Sequence, residues 1–75
     1  MLIYRVMGKI GRDKRCRDLT CRCIRLDDGR IFSGTQDISL AYRIAATEAA
    51  LPVVKSVKMI ITDTETGKKK TEIIK

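Results

Sequence analysis

Residues Ser33–Pro52 read SGTQDISLAYRIAATEAALP, and this stretch decides the fold. It opens with hydroxyl and carboxyl side chains that cap helices, which makes Thr35 or Asp37 the predicted N-cap. Five alanines follow and favour a helix. Pro52 ends the helix because the residue before a proline is pushed out of the α region. We therefore predict one helix, which starts at Asp37 or the next residue and ends at Ala50, between two groups of strands.

The predicted helix carries two rows of apolar side chains on a 3.6-residue wheel. One row consists of Ile38, Tyr42, Ala45 and Ala49. One of the two rows is expected to face a sheet, while the other covers the core edge or meets another protein. The candidate residues for such a protein interaction form the second row, which consists of Leu40, Ile44 and Leu51.

Three strands are predicted before the helix. Apolar and mixed positions alternate at about residues 2–8, which is the period of a strand with one buried face. Asp18–Leu26 is the second predicted strand, and a switch of its apolar parity at Cys23–Ile24 indicates a bulge. Asp27–Arg30 contains the Asp-Gly pair of a tight hairpin turn, and Arg30–Ser33 is the third strand.

Two further strands are predicted after the helix. Val53–Thr62 has Val53 on the apolar face with Val57, Met59 and Ile61, and Lys55 is an exception to this pattern. Thr64–Gly67 turns the chain, and Lys68–Ile74 returns as a last strand whose first lysines are typical of an exposed edge. The order βββαββ predicts an α+β fold, in which one helix packs on one face of a small antiparallel sheet.

The length of 75 residues predicts a single domain, residues 1–75. A core this small is often supplemented by dimerisation, so a homodimer is compatible with the sequence. No run of 18 apolar residues occurs, so no membrane partner is expected, and a cytoplasmic location follows by default.

The three cysteines have the spacing C-x₄-C-x-C. A structural zinc site takes four ligands, and the chain has neither His nor a fourth Cys, so we expect no metal and no cofactor. Cys21 and Cys23 alternate with polar residues, as buried strand cysteines do, and we expect them in the core. Cys16 lies between Arg15 and Arg17, where redox chemistry or a bridge to another chain is the alternative.

Catalytic patterns are missing from the sequence. Without His the commonest general base is absent, and Ser33, Ser39 and Ser56 have no neighbouring base. The pair Asp27-Asp28 precedes a glycine and is explained by turn chemistry. Gly8–Gly11 lacks the spacing of a phosphate-binding loop. We expect a protein that is not an enzyme.

Charge is the strongest functional signal in the sequence. The net charge is +7, and the two ends of the chain are basic while residues 31–54 carry a small negative charge. Such asymmetry favours an anionic partner, most often nucleic acid. The alternatives are a solvated surface without a partner and an acidic protein surface.

Basic residues concentrate between the first two predicted strands and recur along the second and the last. If the first two strands pair, the basic stretch is the tip of a hairpin that leads along the second strand to the lysine cluster. Few aromatic residues are available for stacking on bases, which favours duplex DNA or the backbone of structured RNA. The alternative function is a protein-interaction module or a small accessory or inhibitor protein, acting through the helix or a sheet edge. The candidate nucleic-acid-binding residues are Lys9, Arg12, Lys14, Arg15, Arg17, Arg22, Arg25, Lys68, Lys69 and Lys70.

The segment Tyr4–Gly8, the basic stretch after it and Leu19-Thr20 resemble the opening of the archaeal ribosomal protein LX family. The resemblance implies a small α+β protein that binds ribosomal RNA. It covers less than a third of the chain, and the family's Gly-Ser-Lys-His segment after the helix is replaced here by Ala49–Pro52. The turn at Asp27–Gly29 is also additional to the family pattern.

Overall fold

Six strands and one helix build the fold, and the computed structural model describes all residues from 1 to 75. The elements are β1 (Leu2–Ile10), β2 (Arg17–Asp18), β3 (Cys23–Arg25), β4 (Ile31–Ser33), α1 (Ile38–Ala49), β5 (Val54–Asp63) and β6 (Lys69–Ile73). The main sheet has the order β2-β1-β5-β6 with antiparallel neighbours, and β3 and β4 form a separate hairpin. The predicted α+β class, with one helix on an antiparallel sheet, is confirmed.

The core lies between α1 and one face of the main sheet. Tyr4 and Val6 of β1 pair with Ile61 and Met59 of β5, and their side chains pack with those of the helix. The helix contributes Ala41 and Ala45, whose small side chains let its backbone approach the strands. On the other side of the sheet Ile3 is buried beside Gly34, which closes the β3–β4 hairpin. The rest of that side is called the open face and consists of Arg5, Met7, Lys9, Ser56, Lys58, Ile60, Thr62, Lys69, Thr71 and Ile73.

The helix starts at the predicted cap, and its buried face combines Ala45 of the first predicted row with Ala41, which belongs to neither row. Oδ1 of Asp37 accepts a hydrogen bond from the Leu40 amide at 3.1 Å, which confirms Asp37 as the N-cap. Ala41 and Ala45 are fully buried, whereas Tyr42 of the first row is exposed. The expectation that a whole row faces the sheet is therefore wrong, because the small alanines allow the closest approach. The helix does not have the length and apolar character needed to cross a lipid bilayer.

The predicted second strand is interrupted, which corrects the sequence prediction of a continuous strand with one bulge. The Leu19 amide still donates to the Val6 carbonyl at 2.8 Å, but the next bond uses a side chain: the Val6 amide donates to Oγ1 of Thr20 at 2.7 Å. Cys21 then adopts a left-handed backbone conformation (φ 55°), which is incompatible with an extended strand. The chain leaves β1 here and returns at Thr35, whose backbone pairs with Tyr4.

The excursion between Thr20 and Thr35 is the β3–β4 hairpin. The predicted Asp-Gly turn is present: Gly29 has a φ of 89°, and the carboxylate of Asp28 accepts bonds from both the backbone and the side chain of Arg30. These bonds hold the pKa of Asp28 below its ordinary value. Gly34 closes the hairpin against β1, where a methyl group would lie 2.5 Å from the Tyr4 carbonyl oxygen.

Cys21 and Cys23 are exposed, so the prediction that they lie in the core is wrong. The interruption at Thr20 explains the error. The alternation of residues predicts buried cysteines only if the strand continues through Cys21 and Cys23, and the chain forms no such continuous strand. Cys16 is half-buried. No three side chains among Cys, Asp and Glu gather in one place to hold a metal ion.

A bulge at the start of β5 explains the exception at Lys55. Ile10 pairs with Val54 while Lys9 pairs with Ser56, so Lys55 is the extra residue. The bulge shifts the parity, and as a result Val54 is buried while Val53 is exposed. The prediction that Val53 belongs to the core face is therefore wrong by one position.

Candidate nucleic-acid interface

The basic stretch forms the loop of the β1–β2 hairpin, as predicted. Met7 and Gly8 pair with Asp18 and Arg17, and the residues between the strands turn at the end of the sheet. Two backbone bonds fix the base of the loop: the Gly11 amide donates to the Val53 carbonyl at 2.7 Å, and the Asp13 amide donates to the Ile10 carbonyl at 3.1 Å. The loop is thus anchored to β1 and to the chain just before β5.

Three of the cations on this loop have no acidic partner. Arg12, Lys14 and Arg15 are exposed, and none of them forms a salt bridge. Arg17 differs, because its Nη2 lies 2.6 Å from Oδ2 of Asp13, the one acid of the loop. That oxygen is buried and has no hydrogen bond of good geometry, so the contact is an ion pair. The loop therefore presents three unpaired positive charges to the solvent.

Asp18 holds the second strand of this hairpin in place. Its carboxylate accepts a bond from Nε of Arg5 at 2.9 Å and another from the Thr20 amide at 2.8 Å. Partial burial works to raise the pKa of Asp18, but the hydrogen bonds from Arg5 and Thr20 outweigh it and leave the pKa below its ordinary value. Because Arg5 is occupied by this contact, it is a structural cation of the open face.

Sheet register places three further lysines beside the loop. Lys9 ends β1 on the open face, and Lys58 is its diagonal neighbour because Lys9 pairs with Ser56. Lys55 is exposed at the bulge next to the same position. We call the whole cluster the basic end, and it consists of Lys9, Arg12, Lys14, Arg15, Arg17, Lys55 and Lys58.

Sequence reasoning missed Lys55 and Lys58 as site residues. The signal for Lys58 was present, because its parity puts it among the polar residues of β5. Its proximity to Lys9 depends on the pairing of β1 with β5, which the sequence pattern does not specify. Lys55 comes close to the loop through the bulge alone.

The lysine cluster Lys68–Lys70 lies far from the basic end. Lys69 pairs with Thr62 on the outer strand β6, whereas the basic loop follows β1 beside the start of β5. The eight positions from Val54 to Thr62 span about 26 Å, and three strand spacings across the sheet add about 14 Å sideways. The structure therefore does not bring this cluster together with the loop.

Arg22 and Arg25 belong to the β3–β4 excursion and not to the basic loop. Nη1 of Arg22 donates to the Thr20 carbonyl at 3.1 Å, at the base of the β3–β4 hairpin. Arg25 follows on β3 and borders a shallow depression with Met1 and Asp27 at the other end of the sheet. The predicted path from the tip along the second strand is broken because that strand is interrupted at Thr20.

The helix row predicted for protein interaction is only partly exposed. Ile44 packs against the core, Leu40 is half-buried and Leu51 is exposed. Ile44 therefore helps to close the molecule's own core, whereas Leu51 is left exposed.

No protein-family model, curated protein or solved structure matches the chain. The resemblance of the opening segment to the ribosomal protein LX family thus remains an observation on those residues alone.

Proposed function

We propose that the chain is a small nucleic-acid-associated protein without catalytic activity, and that its basic end contacts the phosphate backbone of duplex DNA or structured RNA. The observation that carries this proposal is the set of three exposed and unpaired cations, Arg12, Lys14 and Arg15, on a loop with a fixed base. Lys9, Lys55 and Lys58 extend the positive surface beyond the loop.

The shape of the basic end suits a polyanion. An arginine offers a planar fork that binds two phosphate oxygens, and a lysine acts as a point charge on a flexible stem. A hairpin tip also reaches into a groove that a flat surface cannot enter, because a two-stranded ribbon fits the major groove of B-DNA. Cations that have no partner within the protein lose no internal ion pair on binding.

The aromatic residues support a backbone reader over a protein that stacks bases. Tyr4 is buried in the core, and the hydroxyl group of Tyr42 donates to Glu72 at 2.7 Å on the helix side of the sheet. Phe32 is half-buried, with the Arg30 guanidinium 5.6 Å from the centre of its ring. None of them stands among the cations of the basic end, where binders of single strands interleave aromatic residues.

Binding of a labelled DNA duplex and of an RNA hairpin, followed by fluorescence anisotropy, tests the proposal. The variant R12E/K14E/R15E changes the net charge by −6 at the basic end. The matched control R25E/R43E/K68E makes the same change at exposed, scattered positions. We expect the loop variant to lose at least about a hundredfold in affinity and the control to lose about tenfold or less.

Equal losses in the two variants would contradict the proposed interface, since they would show that only the net charge matters. Absence of wild-type binding to both probes at about 50 mM salt would contradict the proposed function itself. Circular dichroism of each variant checks that the fold is retained.

A further inference from the structure

The outer strand β6 has a free edge whose hydrogen-bonding groups are defined by its pairing with β5. The Asp63 amide donates to the Lys68 carbonyl, and the Ile74 amide donates to the Val57 carbonyl. In an antiparallel ladder the direction of these groups alternates along the strand. The backbone groups of Lys70 and Glu72 therefore point to β5, and those of Lys69, Thr71 and Ile73 point outward.

We propose that this edge pairs with the β6 edge of a second copy of the chain, in an antiparallel arrangement centred on Thr71. Residues whose numbers add up to 142 then stand opposite each other. Thr71 faces Thr71 of the second copy and Lys69 faces its Ile73, so every outward amide and carbonyl of these residues is paired. The dimer has a continuous eight-stranded sheet with both helices on the same side.

Charge complementarity selects this occupant and this register. With the two-fold axis at Thr71, Lys70 stands opposite Glu72 of the second copy, and the symmetry produces this pair twice. Lys70 and Glu72 occupy non-hydrogen-bonded positions, where opposing side chains are closest. Tyr42 already holds one carboxylate oxygen of Glu72 through a 2.7 Å hydrogen bond, which leaves the other oxygen free for the lysine.

No other symmetric register places opposite charges against each other without a clash of like charges at the axis. With the axis at Lys70, Lys68 faces Glu72, but Lys70 faces Lys70 of the second copy, and with the axis at Glu72 the two glutamates face each other. A shift of the axis by two residues from Thr71 places Lys68 against Lys70, or Glu72 against Ile74. Like charges directly opposite each other destabilise a strand pair. The sequence KKTEI of β6 is therefore self-complementary in one register.

The second copy would also change the open face. Ile73, the most exposed of the large apolar side chains, gains the aliphatic stem of the second copy's Lys69 as its neighbour. Lys58 lies on the other side of Ile73 in the same row, because Lys58 pairs with Ile73. Four lysines, Lys58 and Lys69 of each copy, then surround the two-fold axis. The inference is drawn from the β6 register and does not depend on nucleic-acid binding.

Sedimentation velocity without nucleic acid, from about 10 µM to about 1 mM protein, tests the inference, since a short strand interface with two exposed ion pairs implies weak association. We expect a monomer–dimer equilibrium in the wild type. K70E should weaken it about tenfold by replacing two attractive pairs with two repulsive ones, and the exchange K70E/E72K should restore it. K68E is the matched control, because Lys68 faces no acid in this register.

Amide hydrogen exchange locates the interface at residue resolution. In the wild type, the amides of Lys69, Thr71 and Ile73 should become protected as the protein concentration rises, and in K70E the same protection should require about tenfold more protein. A wild-type monomer at every concentration would overturn the inference and leave the edge for the strand of a different protein. It would also be overturned if K68E weakened the dimer as much as K70E, or if the charge exchange failed to restore it in a folded variant.

Discussion

Asp18 shows at the scale of one residue how this fold depends on a single polar group. Its carboxylate accepts hydrogen bonds from Arg5 of β1 and from the Thr20 amide, and so joins β1 to the turn at Thr20. The hydroxyl group of Thr20 in turn accepts a hydrogen bond from the Val6 amide. Hydrogen bonds to a charged group contribute more than neutral ones, although the partial exposure of Arg5 weakens this contact. This one acid thus fixes the point at which the chain leaves the main sheet.

Replacement of Asp18 by Asn removes the charge but keeps an oxygen for the Thr20 amide. Because the pKa of Asp18 in the folded state lies below its unfolded value, its stabilisation is complete at neutral pH and is lost as the pH falls through the folded pKa. We expect D18N to lower the free energy of unfolding at pH 7 by about 1 kcal/mol. The difference from wild type should shrink below about pH 4.

Urea unfolding at a series of pH values measures this effect. D27N is the matched control, since Asp27 is exposed and forms no salt bridge. A D18N deficit that stayed constant down to pH 2 would contradict the proposed role of the charge.

At the scale of elements, the C-terminal end of α1 is capped by the side chain of Lys75. Nζ of Lys75 donates to the carbonyl oxygens of Ala49, Leu51 and Val54 at 2.9, 3.3 and 2.7 Å. These carbonyls belong to the last residue of the helix, the connection after it and the first residue of β5. A cation at the end of a helix also interacts favourably with the helix dipole. The contact ties the helix to β5 at the same end of the sheet as the basic loop.

The variant K75M keeps most of the apolar stem and removes the ammonium group. We expect it to lower the free energy of unfolding by about 1 kcal/mol, because three carbonyl oxygens lose their hydrogen-bond donor and are left to bond with water. In a domain of this size the midpoint of thermal unfolding should fall by about 4–8 °C. K68M is the control, since Lys68 has no such side-chain contact, and equal midpoints for the two variants would contradict this role.

The elements also show what the sequence was able to predict. Asp37, Pro52 and the Asp-Gly turn act through local backbone chemistry, and the helix, the β3–β4 hairpin and the fold class follow from them. The interruption at Thr20 was missed because a hydroxyl group replaces a backbone partner there, which apolar periodicity does not detect. The bulge at Lys55 and the packing of Ala41 depend on contacts between elements that are distant in sequence.

At the scale of the whole molecule, the positive charge is divided between opposite corners of the sheet. The basic end combines an anchored loop with lysines of β1 and β5, and the cluster Lys68–Lys70 lies about 26 Å further along the strands. The basic loop and the lysine cluster can each be recognised in the sequence, but their separation follows from the sheet order. The two groups therefore have different expected partners: phosphate at the basic end and, at the edge strand, a second copy of the chain.

The most direct test of the nucleic-acid account is the salt dependence of binding to duplex DNA. If the basic end neutralises about four phosphates, a plot of log K against log salt concentration should have a slope of about −3.6 for the wild type and for R25E/R43E/K68E. R12E/K14E/R15E removes three of these contacts, so its slope should be about −0.9 or closer to zero. A wild-type slope near zero, or a loop variant with the same slope as the wild type, would contradict the account.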